Sequence, residues 1–303
     1  MRRFGNFVLS GRWQAVFAAL ILTLLPLVGW IGTMILGLVT LRKGPREGAV
    51  ILFAVMLPDL IWAFMGYPQV LVSNVIYGSV LVYLAALVLR VWASWALVLE
   101  ISAVLGLLGV LLAHLVSKDI NAWWMHFYQQ LLVQITELLK LVSAGEWKQV
   151  LTFYKEALEQ PGVLPFLAKL STGLSIAFNI LGSLVNLVLA RLWQASLFNP
   201  GGLRKELYQI RLHPVCVVVL FVCVFGLALG LNLAWDLLPV VLLVFFSAAI
   251  SLVHSAAATR IRVWLWLTIF YFSLIMLWPY SAMFLVLLVA FDSLFDMRTR
   301  IGA

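Results

Sequence analysis

The stretch QAVFAALILTLLPLVGWIGTMILGLVTL, residues 14–41, decides the fold. It runs for 28 residues without a charge, with Arg12 before it, Arg42, Lys43 and Arg46 after it, and Pro26 near its middle. A bilayer core about 30 Å thick is crossed by roughly 20 apolar residues in a helix. The run is therefore long for one span and short for two. If it crosses once, Arg2, Arg3 and Arg12 lie opposite Arg42, Lys43 and Arg46, against the tendency of basic loops to stay in the cytoplasm. If it folds back near 26–32, as segments 14–26 and 28–41, both basic clusters share one face.

The same pattern repeats along the chain. Single apolar spans are read at 47–65, 69–89, 91–116, 172–190, 214–230 and 237–257, and a second overlong run at 263–295 carries Pro279 near its middle. With both long runs folded back, Arg90, Arg191, Arg204, Lys205, Arg211, Arg260, Arg262, Arg298 and Arg300 join the N-terminal cluster, so all 15 basic residues outside 117–171 share one side. The expected fold is an all-α polytopic transmembrane bundle of eight to ten segments, some short and proline-broken, with both termini cytoplasmic. Eight spans, with the long runs unbroken, is the alternative. The whole of 1–303 reads as one transmembrane domain with an extracytoplasmic helical insertion at 117–171.

Composition agrees with lipid rather than water as solvent. The chain is 64% hydrophobic and 11% charged, with mean hydropathy +1.09, against roughly 45–50% and about 25% for soluble domains. The net charge of +8 is the cytoplasmic bias of loop charges, so no nucleic-acid partner is expected. Arg2, Arg3 and Arg12 before an apolar stretch resemble a signal peptide, but no small-x-small cleavage site follows, and the stretch reads as an uncleaved first segment. Cys216 and Cys223 lie seven residues apart in one apolar run, too far for a disulfide within a helix, and no spacing suggests a metal.

The insertion carries five lysines balanced by five acidic residues. Ile120, Trp124, Phe127, Tyr128, Leu131, Ile135, Leu138 and Val142 recur at helical spacing. A second helix over 146–159 presents Trp147, Val150, Leu151, Tyr154 and Leu158, and Pro161-Gly162 ends it. The pair reads as an amphipathic helical hairpin that lies on the outer leaflet or caps the bundle; a docking surface or lid is the sharper reading.

Ionisable groups within lipid are costly and so are candidates for function. Asp59, after Pro58, and Glu100 lie within apolar segments, and Asn179 and Asn186 add amides on another. These four are the candidate ligand-binding residues. His254 is a further polar group, and Asp292 and Asp296 are expected to pair with Arg298 and Arg300. Ser247, Ser251, Ser255 and Thr259 recur every four residues on one helix, and Gly226 and Gly230 form a GxxxG, both patterns that favour close helix packing.

The most distinctive segment is LARLWQASLFNPGGLRKELYQIRL, residues 189–212. Asn199-Pro200-Gly201-Gly202 is a strong turn signal. A short basic helix should follow, with Leu203, Leu207, Ile210 and Leu212 on one face and Arg204, Lys205 and Arg211 near anionic headgroups. Asn199, Pro200, Gly201, Gly202, Arg204, Lys205 and Arg211 are accordingly candidates for partner or lipid contact. Phosphate binding by Gly201-Gly202 lacks the GxxxxGK[ST] pattern. This stretch, with GRWQA near the N-terminus and TLRKGPREG at 40–48, resembles the proteobacterial branch of the YybS-like family of bacterial integral membrane proteins. That family is distantly similar in fold to the S components of energy-coupling-factor transporters and to MreD. The resemblance covers most of the chain except 117–171. It implies an inner-membrane bundle and transfers no site residue.

Function then divides two ways. No HExxH, GxSxG, acidic cluster or His/Cys constellation points to an enzyme, and no cofactor is called for. A small-molecule binding or transport component would enclose a polar cavity lined by Asp59 and Glu100. A non-catalytic scaffold would recruit a membrane protein partner through the NPGG segment and the outer hairpin.

Overall fold

The computed structural model describes residues 2–25, 27–67, 70–142 and 145–297. Among these residues it holds α-helices, one π-helical segment and no strand. The first long run is two helices, α2 (Arg12–Leu24) and α3 (Trp30–Lys43), after a short α1 (Arg2–Ser10) that meets α2 at a bend of 119°. Between α2 and α3 the backbone turns extended at Leu25 and left-handed at Leu27; Pro26 lies outside the described residues. Arg12 donates to Glu47, in the first turn of α4 (Pro45–Phe64), at 3.0 and 2.5 Å. The two ends of the 28-residue run thus meet, which is the hairpin.

From α4 the chain goes up and down. After the π-helical segment Leu71–Val80 come α5 (Leu81–Trp92) and α6 (Trp95–Val116). Next are α7 (Ile120–Leu141), α8 (Glu146–Glu159), α9 (Val163–Phe198) and the single-turn α10 (Gly202–Leu207). The last four are α11 (Pro214–Ala228), α12 (Asn232–Ala258), α13 (Val263–Met276) and α14 (Tyr280–Phe295). Among the described residues five helices are long and apolar enough to cross a membrane: α4, the continuous Leu71–Trp92, α6, α9 and α12. At 1.5 Å per residue α11, α13 and α14 rise only about 21–24 Å, less than a full core. The run 214–230, read as a full span, is one of these short helices.

Side-chain contacts fix which helix ends meet. Arg90 near the end of α5 donates to Leu41 O at 2.6 Å, and Arg42 stacks 4.1 Å over Phe198 at the end of α9. Trp95 at the start of α6 donates to Glu206, which also pairs with Arg191. Arg211 before α11 donates to the carbonyls of Asp292 and Ser293 and to the Asp296 carboxylate at the end of α14. One end of the bundle therefore gathers the described arginines, and α7 and α8 lie at the other. Asp296 pairs with Arg211, since α14 ends beside the chain entering α11; Arg298 and Arg300, the expected partners of Asp292 and Asp296, lie outside the described residues.

The insertion forms the two helices expected, with Asp119 capping α7 by accepting from Ala122 N at 3.0 Å. Its last residues already belong to α9, which begins at Val163 and continues unbroken for 36 residues. At about 54 Å long it overshoots the bilayer, and its uncharged stretch between Lys169 and Arg191 matches the core. The helix is central, packing on α3, α6, α12 and the π-helical segment. Small residues allow these approaches, since apolar burial does not drive helix association in lipid. A Cβ on Gly37 would crowd Ala190, and one on Gly106 would meet Ile180 and Val240. The expected GxxxG contact is only half present: Gly226 is buried against Ala234, whereas Gly230, at φ +76°, is the turn after α11. Of the four-residue hydroxyl ladder, Ser251 crosses to another element by donating to Leu207 O, while Ser247, Ser255 and Thr259 bond within their own helix.

Candidate functional site

The α2–α3 hairpin is short. α3 rises about 21 Å from the arginine end, so its tip stops part-way along α4 and α9, and a cleft of about 340 Å³ lies beside it. Thr23, Trp30 and Thr33 of the tip, Asp59 of α4, Ser73, Asn74 and Ser79 of the π-helical segment, and Asn179, Ser183 and Asn186 of α9 line it. The volume falls in the lower part of the range for small-molecule sites.

Local backbone explains why polar groups are tolerated there. Pro58 lacks an N–H and leaves the Ala54 carbonyl without its helical donor, loosening α4 one residue before Asp59. The wide π-helical turns facing it re-aim Ser73, Asn74 and Ser79, and such turns recur at functional sites. On α9, Asn179, Gly182, Ser183 and Asn186 fall at i, i+3, i+4 and i+7, one face of a helix. Asn74 Nδ2 donates to Asp59 Oδ1 at 3.1 Å. Thr23 Oγ1 donates to Ala19 O at 2.8 Å, Thr33 Oγ1 to Trp30 O at 3.1 Å, and Ser183 Oγ to backbone carbonyls of Tyr77 and Asn179. Asp59 Oδ2 and the Asn186 amide have no protein partner among the described residues.

Three of the four predicted ligand residues, Asp59, Asn179 and Asn186, thus share one cleft. Glu100 does not join them. It is the sixth residue of α6, near the arginine end, and accepts from His213 N at 2.7 Å, holding the start of α11. The two carboxylates are on different helices at different depths, roughly 8 and 21 Å from that end by helix rise. The expected cavity lined by both is corrected to one lined by Asp59.

The NPGG segment turns as expected, with Gly201 left-handed at φ +86° and Gly202 N bonded to Asn199 O at 3.1 Å. The basic helix after it is shorter than expected, a single turn, because Ile210 and Leu212 are buried in extended chain rather than carried on a helical face. Arg204 is exposed and donates to Tyr208 OH at 2.6 Å, Lys205 is exposed, and Pro200 and Gly201 edge a separate 580 Å³ groove with His254. Arg211 differs from Arg204 and Lys205 in that its guanidinium bonds the end of α14.

A second polar cluster was not read from the sequence. Asp236, in α12 and without exposed surface, accepts from Gly173 N of α9 and bonds His114 Nε2 of α6, each at 2.8 Å. Beside it Trp124 Nε1 donates to Thr172 Oγ1 at 2.9 Å, and Tyr128 shares a 2.6 Å hydrogen bond with Ser171. These bonds tie the insertion and three spans together at the end opposite the arginines. The available signal was topological: His114 closes one apolar run and Asp236 opens another, and the two apolar runs between them, 172–190 and 214–230, return the chain to the same side.

No protein-family model, curated protein or solved structure matches the chain. Its class therefore rests on its own helices: it is an all-α, multi-pass membrane protein.

Proposed function

We propose that the chain is a small-molecule binding component of the bacterial inner membrane, with both termini cytoplasmic, kin to the YybS-like proteins and distantly to transporter S components. The observation that carries the reading is the polar cleft beside the hairpin tip, set at membrane depth among otherwise apolar helices. Transporters place their sites near the midplane where helices are interrupted, and here an incomplete hairpin, a proline and a π-helical turn converge on one carboxylate. Mass spectrometry of protein purified in mild detergent tests it. A retained small molecule is expected in the native chain and should be lost when Asn179→Leu and Asn186→Leu fill the cleft. Absence of any retained molecule, with and without added cell extract, counts against the reading.

A scaffold is the second reading, favoured by α8. None of its residues is buried, and Trp147, Val150, Phe153 and Tyr154 are exposed on it, an apolar surface suited to a membrane protein partner or the bilayer interface. Arg204 and Lys205 offer a basic contact at the other end. Cross-linking in cells followed by purification should recover a partner that Trp147→Ser or Arg204→Ala releases; recovery of the chain alone opposes this reading.

A further inference from the structure

The lining of the cleft also specifies the charge of what enters it. We propose that it takes a small organic cation, a protonated amine or quaternary ammonium, with Asp59 as its counter-charge; this rests on the cleft being a ligand site.

Among the described residues that line the cleft, Asp59 is the only charged one. It also lacks the cationic partner that several other carboxylates of the bundle have; Glu100, which accepts from His213 N, lies near the arginine end instead. Glu47 pairs with Arg12, Glu206 with Arg191 and Asp296 with Arg211, while Asp236 has a histidine and a backbone N–H. Asp59 has one neutral amide, Asn74. The arginines that could compensate it sit at the far end of the same helices; Arg46 is about 20 Å away by helix rise. A carboxylate at membrane depth is costly unless it is compensated, so an entering positive charge is what the site lacks.

Three of the hydroxyls agree in polarity. Thr23, Thr33 and Ser183 have each given their single hydroxyl proton to a helix carbonyl, so toward the cleft they can only accept. These acceptor hydroxyls suit N–H donors, while the Asn186 amide can turn either its oxygen or its nitrogen to a ligand. Trp30 and Phe178 add aromatic rings to the lining, whose faces attract cations. The volume of about 340 Å³ is far more than a bare metal ion fills.

Charged thiol reagents test this without knowing the ligand. In a chain with Cys216→Ala and Cys223→Ala, single Ser73→Cys and Asn186→Cys variants are treated with trimethylammonium-ethyl or sulfonatoethyl methanethiosulfonate, each rate normalised to a free thiol. The cationic reagent is expected to react about tenfold faster at both positions, since an unpaired charge several ångströms away at intermediate dielectric is worth at least that factor. Asp59→Asn should abolish the preference and Asp59→Glu should keep it. Equal rates, or a preference that survives Asp59→Asn, overturn the cation assignment and leave the cleft as a ligand site. If neither reagent reacts at either position while a Lys148→Cys control does, the cleft is closed to water-soluble molecules and both readings fall. Protection keeps the test alive if Asp59→Asn does not fold. Tetramethylammonium should slow labelling and glycerol should not; no difference between them overturns the assignment.

Discussion

Asp236 and Asp59 show what decides the role of a carboxylate among apolar helices. Asp236 is enclosed and doubly bonded, so its charge or its acceptor capacity is spent on joining α6, α9 and α12. Removing it takes away a second acceptor from the Gly173 N–H and leaves the His114 ring without its partner, and an unsatisfied buried group costs about 1–3 kcal/mol. Asp236→Ala is therefore expected to lower the thermal midpoint in detergent measurably, with Asp236→Asn losing less because one acceptor oxygen remains. Asp59, with a single neutral partner, should behave oppositely: Asp59→Asn should leave the midpoint unchanged or raise it. Sequence alone ranked these residues poorly. Asp59 stood out because it interrupts an apolar run, whereas Asp236 sits at the edge of one, where a charge looks solvated. Depth along the helix is legible; the neighbours that a packed face supplies are not.

At the scale of elements, the helices differ in how firmly they are held. α9 is buried along much of its length, and a Cβ at Gly173 would run into the backbone at Asp236. α13 has no buried residue, and an apolar groove of about 680 Å³ separates it from α12 and α14. Local opening follows buried contacts, so hydrogen exchange in detergent is expected to be slowest in 172–190 and fastest, among apolar helices, in α13; comparable protection of the two contradicts this packing. The turn after α9 gives a second expectation. Gly201 is left-handed, a conformation that costs an L side chain roughly 1–2 kcal/mol, so Gly201→Ala should destabilise by about that amount on thermal unfolding while Lys205→Ala should not. The turn was readable from Asn199-Pro200-Gly201-Gly202 because its chemistry is local. The length of the helix after it was not, since burial of Ile210 and Leu212 against distant helices overrides their helical spacing.

For the whole molecule, charge placement carried the most information. The break within 14–41 was legible because unbroken crossing would split the arginines between two sides, and the Arg12–Glu47 pair realises the alternative. What charge could not convey is where a short hairpin stops, and hence that it leaves a cleft facing Asp59, Asn179 and Asn186 but not Glu100. The same geometry predicts a labelling pattern in sealed membrane vesicles. With the native cysteines replaced by alanine, Ser10→Cys, Lys205→Cys and Arg262→Cys should react with an impermeant maleimide from one face, and Lys148→Cys and Gln160→Cys only from the other. Ser10 and Lys205 are the decisive pair. Between them lie α2, α3, α4, the Leu71–Trp92 span, α6 and α9, which return the chain to its starting side only if α2 and α3 double back. Were that run a single crossing, Ser10 would label with Lys148. Opposite labelling of Ser10 and Lys205 would therefore remove the hairpin and with it the cleft at its tip.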